Sequence, residues 1–380
     1  MTFSLLTFDA RHITPYGIGY AADSISGAMN HDELRCHIYS YFNELASNKD
    51  FRKPLFRNRV LYKLCQKLLD TRGIHQLACI RMLSTLALYD AAYLWTNCEL
   101  ALYQKIKEKN KVLISEAINT HQNSARMILD AEYARIGVTQ SKRISDENIT
   151  DENAKLALSD FIFCPSPNVA KSMLDNGVDA GKLIETSYGL GSHQRHQPDS
   201  SSHHASAFNL LFVGSGIIRK GIHLLLEYWR DSQIDGLLTV IGNIDPEIEQ
   251  IVQPYRSDQR FQFVSFTKDI DPYFKQADVF VLPSLEEGSP LVTYLAIGAG
   301  LPCIVSPMGG DGVIRDGVEG YIIDPHDKAA WIATLENLAK DKPRVEQLSK
   351  AAYERSEYFL WQNVGQRRAE ALMTRMGEKP

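Results

Sequence analysis

Beyond residue 207 the chain alternates short apolar runs with stretches of helical period. Runs at 210–213, 237–241, 261–265, 279–282, 302–306 and 321–323 read as buried strands. Helices are predicted between and after them at 221–229, 247–254, 271–276, 291–299, 328–339 and 344–353. Such alternation implies parallel β-α-β units, because a parallel strand is buried on both faces and needs a crossover to return. The first half follows a looser version of the rule. Strands are predicted at 3–8, 91–94, 112–115, 161–164 and 183–185, and helices at 20–29, 60–69, 100–109, 124–136, 154–158 and 169–176. Residues 74–88 fit either period, and the polar stretch 138–153 reads as a surface excursion. Between the halves, 192–207 is polar and aperiodic, with histidines that read as solvated rather than metal-binding. The expected class is therefore α/β, with doubly wound domains at 1–191 and 208–356, a linker at 192–207 and a closing segment at 357–380.

Composition narrows the reading. The 380 residues are 44% hydrophobic and 23% charged, which excludes long disorder and fibrous repeats. A net charge of −5 argues against nucleic acid as a general partner. Cys36, Cys65, Cys79, Cys98, Cys164 and Cys303 lack the paired spacing of a zinc site or a disulfide framework, so buried thiols of a reducing compartment are expected. The N-terminus has no basic region before an apolar core, and no run of 18 apolar residues occurs. A cytoplasmic location is the expectation.

Three segments carry candidate chemistry. In Phe212-Val213-Gly214-Ser215-Gly216-Ile217-Ile218-Arg219-Lys220-Gly221 a strand runs into a glycine turn, two cations and a helix. Gly214 and Gly216 permit close approach of backbone to a ligand, and the cations with the helix start suit a diphosphate. The same residues also fit an ordinary βα turn with solvated cations. In Pro283-Ser284-Leu285-Glu286-Glu287-Gly288-Ser289-Pro290-Leu291-Val292 two carboxylates end a strand and a helix begins near Pro290. A carboxylate there can accept from sugar hydroxyls, and the amides of Ser289, Leu291 and Val292 can face a phosphate. An acidic, capped helix start explains the pattern equally well. Gly300 to Gly310, and then Arg315 to Gly320, alone indicate only tight turns.

In this order and spacing the segments resemble glycosyltransferase family 4. The match lies in Arg219 and Lys220; in Pro283, Ser284, Glu287, Gly288, Pro290, Leu291 and Val292; in Gly300, Pro302, Ile304 and Ser306; and in Asp316, Gly317 and Gly320. The resemblance implies the GT-B fold, in which two Rossmann-like domains face a cleft and the C-terminal helix crosses back to the N-domain. It implies retaining, metal-independent transfer of a sugar from a nucleotide-sugar to a glycan or lipid-linked glycan, in polysaccharide or glycoconjugate biosynthesis. No cofactor is expected beyond the donor substrate. Arg219, Lys220 and Glu287 would be catalytic. Gly214, Gly216, Gly288, Ser289, Pro290, Leu291 and Val292 would bind the donor, with Gly17 and Gly19 of the loop after the first strand.

One position departs from the pattern. The second glutamate of the family's motif, associated with the nucleotide ribose, is Leu295 here. Leucine accepts no hydrogen bond, so an altered donor site is expected, and a non-catalytic GT-B relative acting as a binding or regulatory partner is the alternative. A phosphorylase or epimerase of the same fold is a third reading. Glu116 and His121, after the strand at 112–115, are candidates for the acceptor or the reacting sugar, although a lone histidine is more often structural. Residues 49–72 hold eight basic and two acidic side chains around a leucine-rich face. Such a stretch suits peripheral contact with the inner face of a membrane, or a solvated helix packed on the N-domain.

Overall fold

The structure is a computed structural model that describes residues 2–45, 49–197 and 208–377. Residues 198–207 of the predicted linker and 378–380 of the closing segment lie outside the described residues.

The first seven strands are β1 (Phe3–Ile13), β2 (Leu34–Asn43), β3 (Arg52–Pro54), β4 (Ala91–Leu94), β5 (Val112–Glu116), β6 (Phe161–Cys164) and β7 (Leu183–Glu185). They form one sheet in the order β3-β2-β1-β4-β5-β6-β7, and every pairing is parallel. A second parallel sheet contains β8 (Phe208–Val213), β9 (Gly236–Ile241), β10 (Phe261–Val264), β11 (Val279–Leu282), β12 (Cys303–Val305) and β13 (Gly320–Ile322). Its order is β10-β9-β8-β11-β12-β13. In both sheets the winding reverses once, between β1 and β4 and between β8 and β11. Loops at such a reversal diverge to opposite faces and leave a crevice at the carboxyl ends of the strands, where ligands bind in open α/β sheets. The loops concerned begin at Thr14, Trp95, Gly214 and Pro283.

Strand periodicity explains the layering of the first domain. Leu6, Phe8 and Ala10 of β1 enter the core covered by the helix Arg59–Thr85, whereas Leu5 and Ile13 join the core on the other face. That second core continues into the C-terminal domain without a break.

Four local readings change. Strands β2 and β3 are absent from the pattern-based prediction. In β2 the polar Arg35, His37 and Ser40 interrupt the apolar positions, and three-residue β3 is defined by its pairing with β2. The ambiguous stretch 74–88 is mostly helix, because Arg59–Thr85 continues through it after a break at Asp70 (φ 55°). Asp70 Oδ1 accepts from Gly73 N at 2.8 Å and so restarts the helix. Half of the expected excursion at 138–153 is also helical: Ser145 and Asn148 form a capping box that opens Asp146–Leu158.

The closing segment contains the helix Trp361–Gly377, which packs against Gly17–Ala28 of the first domain. The chain therefore passes from first domain to second and back. The two passages are joined: Leu190 N donates to Phe359 O at 3.0 Å, and Trp361 N to Leu190 O at 3.0 Å. Further along the helix the guanidinium of Arg368 is wholly buried and paired with Glu116, at 2.9 and 3.1 Å.

Candidate functional site

The turn after β8 and the loop after β11 are built against each other. Gly221 adopts φ +67°, and a Cβ there would lie 2.0 Å from the carbonyl oxygen of Pro283. Only glycine suits such a close, left-handed position. Arg219 O accepts from Leu285 N at 2.8 Å and from Glu286 N at 3.4 Å. Backbone alone thus sets two cations opposite two carboxylates.

Lys220 Nζ donates to Glu287. Arg219 Nη1 donates to Glu286 Oε2 at 3.1 Å and lies 3.5 Å from Glu287 Oε2. Both glutamates are buried. Burial works against the charge of Arg219, but Glu287 and Glu286 outweigh it and hold its pKa above the usual value. Arg219 stays charged because it is paired.

The facing domain reaches into this cluster. Thr120, after β5, donates to Glu286 Oε1 through its amide at 3.2 Å and its hydroxyl at 2.7 Å. Ser166 Oγ donates to Gly288 O at 2.6 Å. Gly288 meets the backbone of Ile118 so closely that a Cβ would sit 1.6 Å from its carbonyl oxygen. The two domains are in contact here, and space remains on either side of the contact.

A cavity of about 630 Å³ lies on one side, with Gly17, Gly214, Lys220, Leu291 and Leu295 in its wall. Tyr16 and Phe266 also line it, their ring centres 6.2 Å apart. A second cavity of about 470 Å³ lies on the other side, lined by Trp95, Asn97, Glu116, Glu152, Arg219 and Glu286. Lys220 borders one space and Arg219 the other, so the basic pair stands at their junction.

The remaining sequence-predicted residues fall around this junction. Pro290 is the N-cap of the helix Leu291–Gly298, whose first amides, those of Leu291 and Val292, have no intrahelical partner. Ser289 is buried and its hydroxyl shares a 2.6 Å hydrogen bond with Tyr294. Gly19 is buried against Arg11 and Asp9, and Gly216 packs on Ile244. Glu116 borders the smaller cavity, but Arg368 and Tyr93 occupy its carboxylate. His121 is 1% exposed. Its Nδ1 accepts from Asn123 N at 3.1 Å and its Nε2 lies 2.9 Å from Asn153 Oδ1, so it fixes a helix start. Of the two, Glu116 lines the smaller cavity and His121 does not; Asn97 and Glu152 line it as well.

Sequence reasoning treats Glu286 only as one of two carboxylates at a strand end, and the structure makes it the carboxylate that ties Arg219 to Thr120. It missed Trp95, Thr96 and Asn97, although their position directly after a predicted strand was a usable signal. Burial raises the pKa of Glu152 above the ordinary carboxylate range, opposed by the amide of Gln122 and by His121.

Comparison with known proteins bears on this site directly. Residues 207–341 match the family described as "Glycosyl transferases group 1". That stretch of the second domain is similar to the group 1 glycosyl transferases. A D-inositol 3-phosphate glycosyltransferase of Paenarthrobacter aurescens (strain TC1) is 27% identical over 179 residues, 42% of each chain. The UDP-Gal:alpha-D-GlcNAc-diphosphoundecaprenol alpha-1,3-galactosyltransferase of Escherichia coli is 33% identical over 114 residues, 28% of this chain and 29% of that one. The chain thus aligns with less than half the length of these curated relatives.

Solved structures cover the whole chain. The sucrose-phosphate synthase of Thermosynechococcus elongatus superposes with a TM-score of 0.72 at 17% identity, over 99% of this chain and 100% of that one. Anabaena Alr3699/HepE, solved in complex with UDP, superposes at 0.68 and 14% identity, over 98% and 100%. The chain has the GT-B fold across both domains.

Proposed function

We propose that this protein is a retaining, metal-independent glycosyltransferase that moves a sugar from a nucleotide-sugar to a glycan or lipid-linked glycan. The observation that carries this reading is the pairing of Arg219 and Lys220 with Glu286 and Glu287 at the junction of two cavities. The family match and the UDP complex of a fold relative support a donor in the larger cavity. Its diphosphate would take Lys220, Arg219 and the first amides of Leu291–Gly298, all of which favour an anion. Glu287, released from Lys220, would accept hydroxyls of the transferred sugar.

In the reaction the bond from the anomeric carbon to the diphosphate oxygen breaks, and a bond to the acceptor oxygen forms on the same face. The acceptor proton leaves with the diphosphate. The charge that grows on the leaving group falls to two cations already held in place, which costs no rearrangement at the moment of reaction. The acceptor would approach through the smaller cavity, past Asn97 and Glu152. Contact between Gly288 and Ile118 keeps water from the junction while both substrates are bound.

A lipid-linked acceptor agrees with the surface of the first domain. Val60, Leu61, Leu64, Leu68 and Leu69 are exposed along one helix beside Lys63 and Lys67, a pattern that suits an anionic lipid surface. No helix among the described residues is long and apolar enough to cross a membrane.

Slow hydrolysis of a panel of nucleotide-sugars tests the central claim. The wild-type protein should release nucleoside diphosphate from at least one donor. The double variant Arg219→Ala, Lys220→Ala should lose about 10²-fold or more of that rate with an unchanged melting profile. Undiminished release by the double variant, or no release from any donor, would overturn the reading.

A further inference from the structure

We propose that His223 is a positioning residue for the transfer reaction: held by Glu132 of the facing domain, it keeps the turn that carries Arg219 and Lys220 in its closed alignment. The inference rests on the donor-site reading above and adds the contact that aligns that site. His223 stands in the first turn of the helix Ile222–Asp231, three positions after Lys220. Glu132 belongs to the helix Gln122–Ile136 of the first domain. Both side chains are buried, and His223 Nε2 lies 2.5 Å from Glu132 Oε1. The same helix packs against the turn Ile218–Lys220.

The carboxylate fixes the direction of this hydrogen bond. Burial works to raise the pKa of Glu132, but Arg135 and His223 outweigh it and bring it down from 4.5 to about 2. An ionised carboxylate only accepts, so Nε2 carries the hydrogen and donates. Nδ1 of the same ring is buried and has no hydrogen-bond partner among the described residues. The polar contact of the ring is thus made across the interface. Glu132 does not depend on it. Arg135 Nε and Nη2 donate to its carboxylate at 2.9 and 2.6 Å from within the same helix, and His326 Nε2 lies 3.5 Å from Oε2. When the domains part, Glu132 keeps Arg135 and the imidazole meets water, so no charge is stranded. The contact can therefore form and break with each closure.

The same contact joins the cations to the smaller cavity. Gln122, Ala125 and Leu129 line that cavity, and Glu132 follows them at spacings of three and four, on one face of the helix. One helix therefore walls the proposed acceptor space and, a turn further on, grips His223. Beside it Tyr133 OH donates to Glu247 Oε2 at 2.6 Å and gives the helix another hold on the second domain. Arg219 and Lys220 must be in place before charge develops on the leaving group. Without the contact both cations remain, but their turn meets the facing domain less often in register. The rate of transfer then falls more than the affinity for nucleotide.

The test is hydrolysis of a nucleotide-sugar that the wild type turns over, combined with equilibrium binding of the matching nucleoside diphosphate. His223→Ala and Glu132→Ala should each lower kcat about tenfold and leave the nucleotide Kd within about twofold, with melting curves and binding stoichiometry confirming folded protein. Glu132→Ala, which leaves Arg135 at the surface, carries the test by itself if His223→Ala does not fold. The double variant should be no slower than the slower single one, because the two side chains make one contact. His223→Gln, whose amide keeps a donor, should be at least about threefold faster than His223→Ala. Unchanged kcat in the alanine variants, losses that multiply in the double variant, or no recovery in His223→Gln would overturn this inference and leave the donor site standing. A fall in nucleotide affinity as large as that in kcat would assign His223 to the fold of the second domain and overturn it too. Absence of hydrolysis by the wild type with every donor would overturn the donor-site reading along with it.

Discussion

Asp9 shows what a single buried carboxylate does to this protein. It has no solvent exposure; Oδ1 accepts from Arg11 Nε at 2.6 Å, and Oδ2 has no hydrogen-bond partner among the described residues. Burial pushes its pKa up from 3.8 to about 6, against the pull of Arg11. A carboxyl that holds its proton more tightly when folded stabilises the fold fully below its unfolded value, and that contribution is lost as pH rises through about 6. Asp9→Asn is therefore expected to raise the melting temperature at pH 8 and to change it little near pH 4. The gain should approach about 3 kcal/mol, from two units at about 1.4 kcal/mol each. Melts recorded between pH 4 and 8 check this, and an equal gain at both ends would remove Asp9 as the titrating group. Arg219, Lys220 and Glu287 were legible in the chain because glycines and a strand end mark their neighbourhood within a few residues. Asp9 and Glu286 were not. Asp9 takes its role from burial in a core that distant segments assemble, and Glu286 from Thr120, 166 positions away.

Buried strands of the second domain are legible because both faces are apolar, so four or five hydrophobic residues stand together. Strand β2 is harder to read, since its apolar positions are broken by Arg35, His37 and Ser40. The helix Trp361–Gly377 was expected to return to the first domain, but its anchor was hidden. Arg368 enters a core of Tyr93, Phe163 and Tyr188 and donates to Glu116 and to Ser187 O at 3.0 Å. Removing one partner strands a charge in a low-dielectric core. Arg368→Ala should destabilise the protein by about 3–5 kcal/mol, and adding Glu116→Gln should recover part of the loss. Urea unfolding of the single and double variants measures this. A single variant as stable as the wild type would mean that the helix is held by its apolar face alone.

The molecule as a whole presents two unlike surfaces: an interdomain cleft in which cations and carboxylates are paired, and a basic, leucine-bearing helix on the first domain. Leu64 and Leu68 are 52% and 72% exposed, more than isolated surface leucines need explain when Val60, Leu61 and Leu69 accompany them. Flotation with vesicles containing phosphatidylglycerol should recover the wild-type protein. Leu64→Ser with Leu68→Ser should reduce the bound fraction about tenfold or more, since each leucine gives up apolar burial. Donor hydrolysis in solution should be unchanged by that pair, and undiminished flotation would assign the face to packing against protein.

The paired crossings at Leu190 and Leu360 limit how such a molecule can open. Two polypeptide passages stitched at one point behave as the pin of a door. The halves can swing about it, but neither can shift sideways along the other without tearing both hydrogen bonds. Each swing must therefore bring Ile118 back onto Gly288, so that every turnover begins from the same alignment of the two sheets.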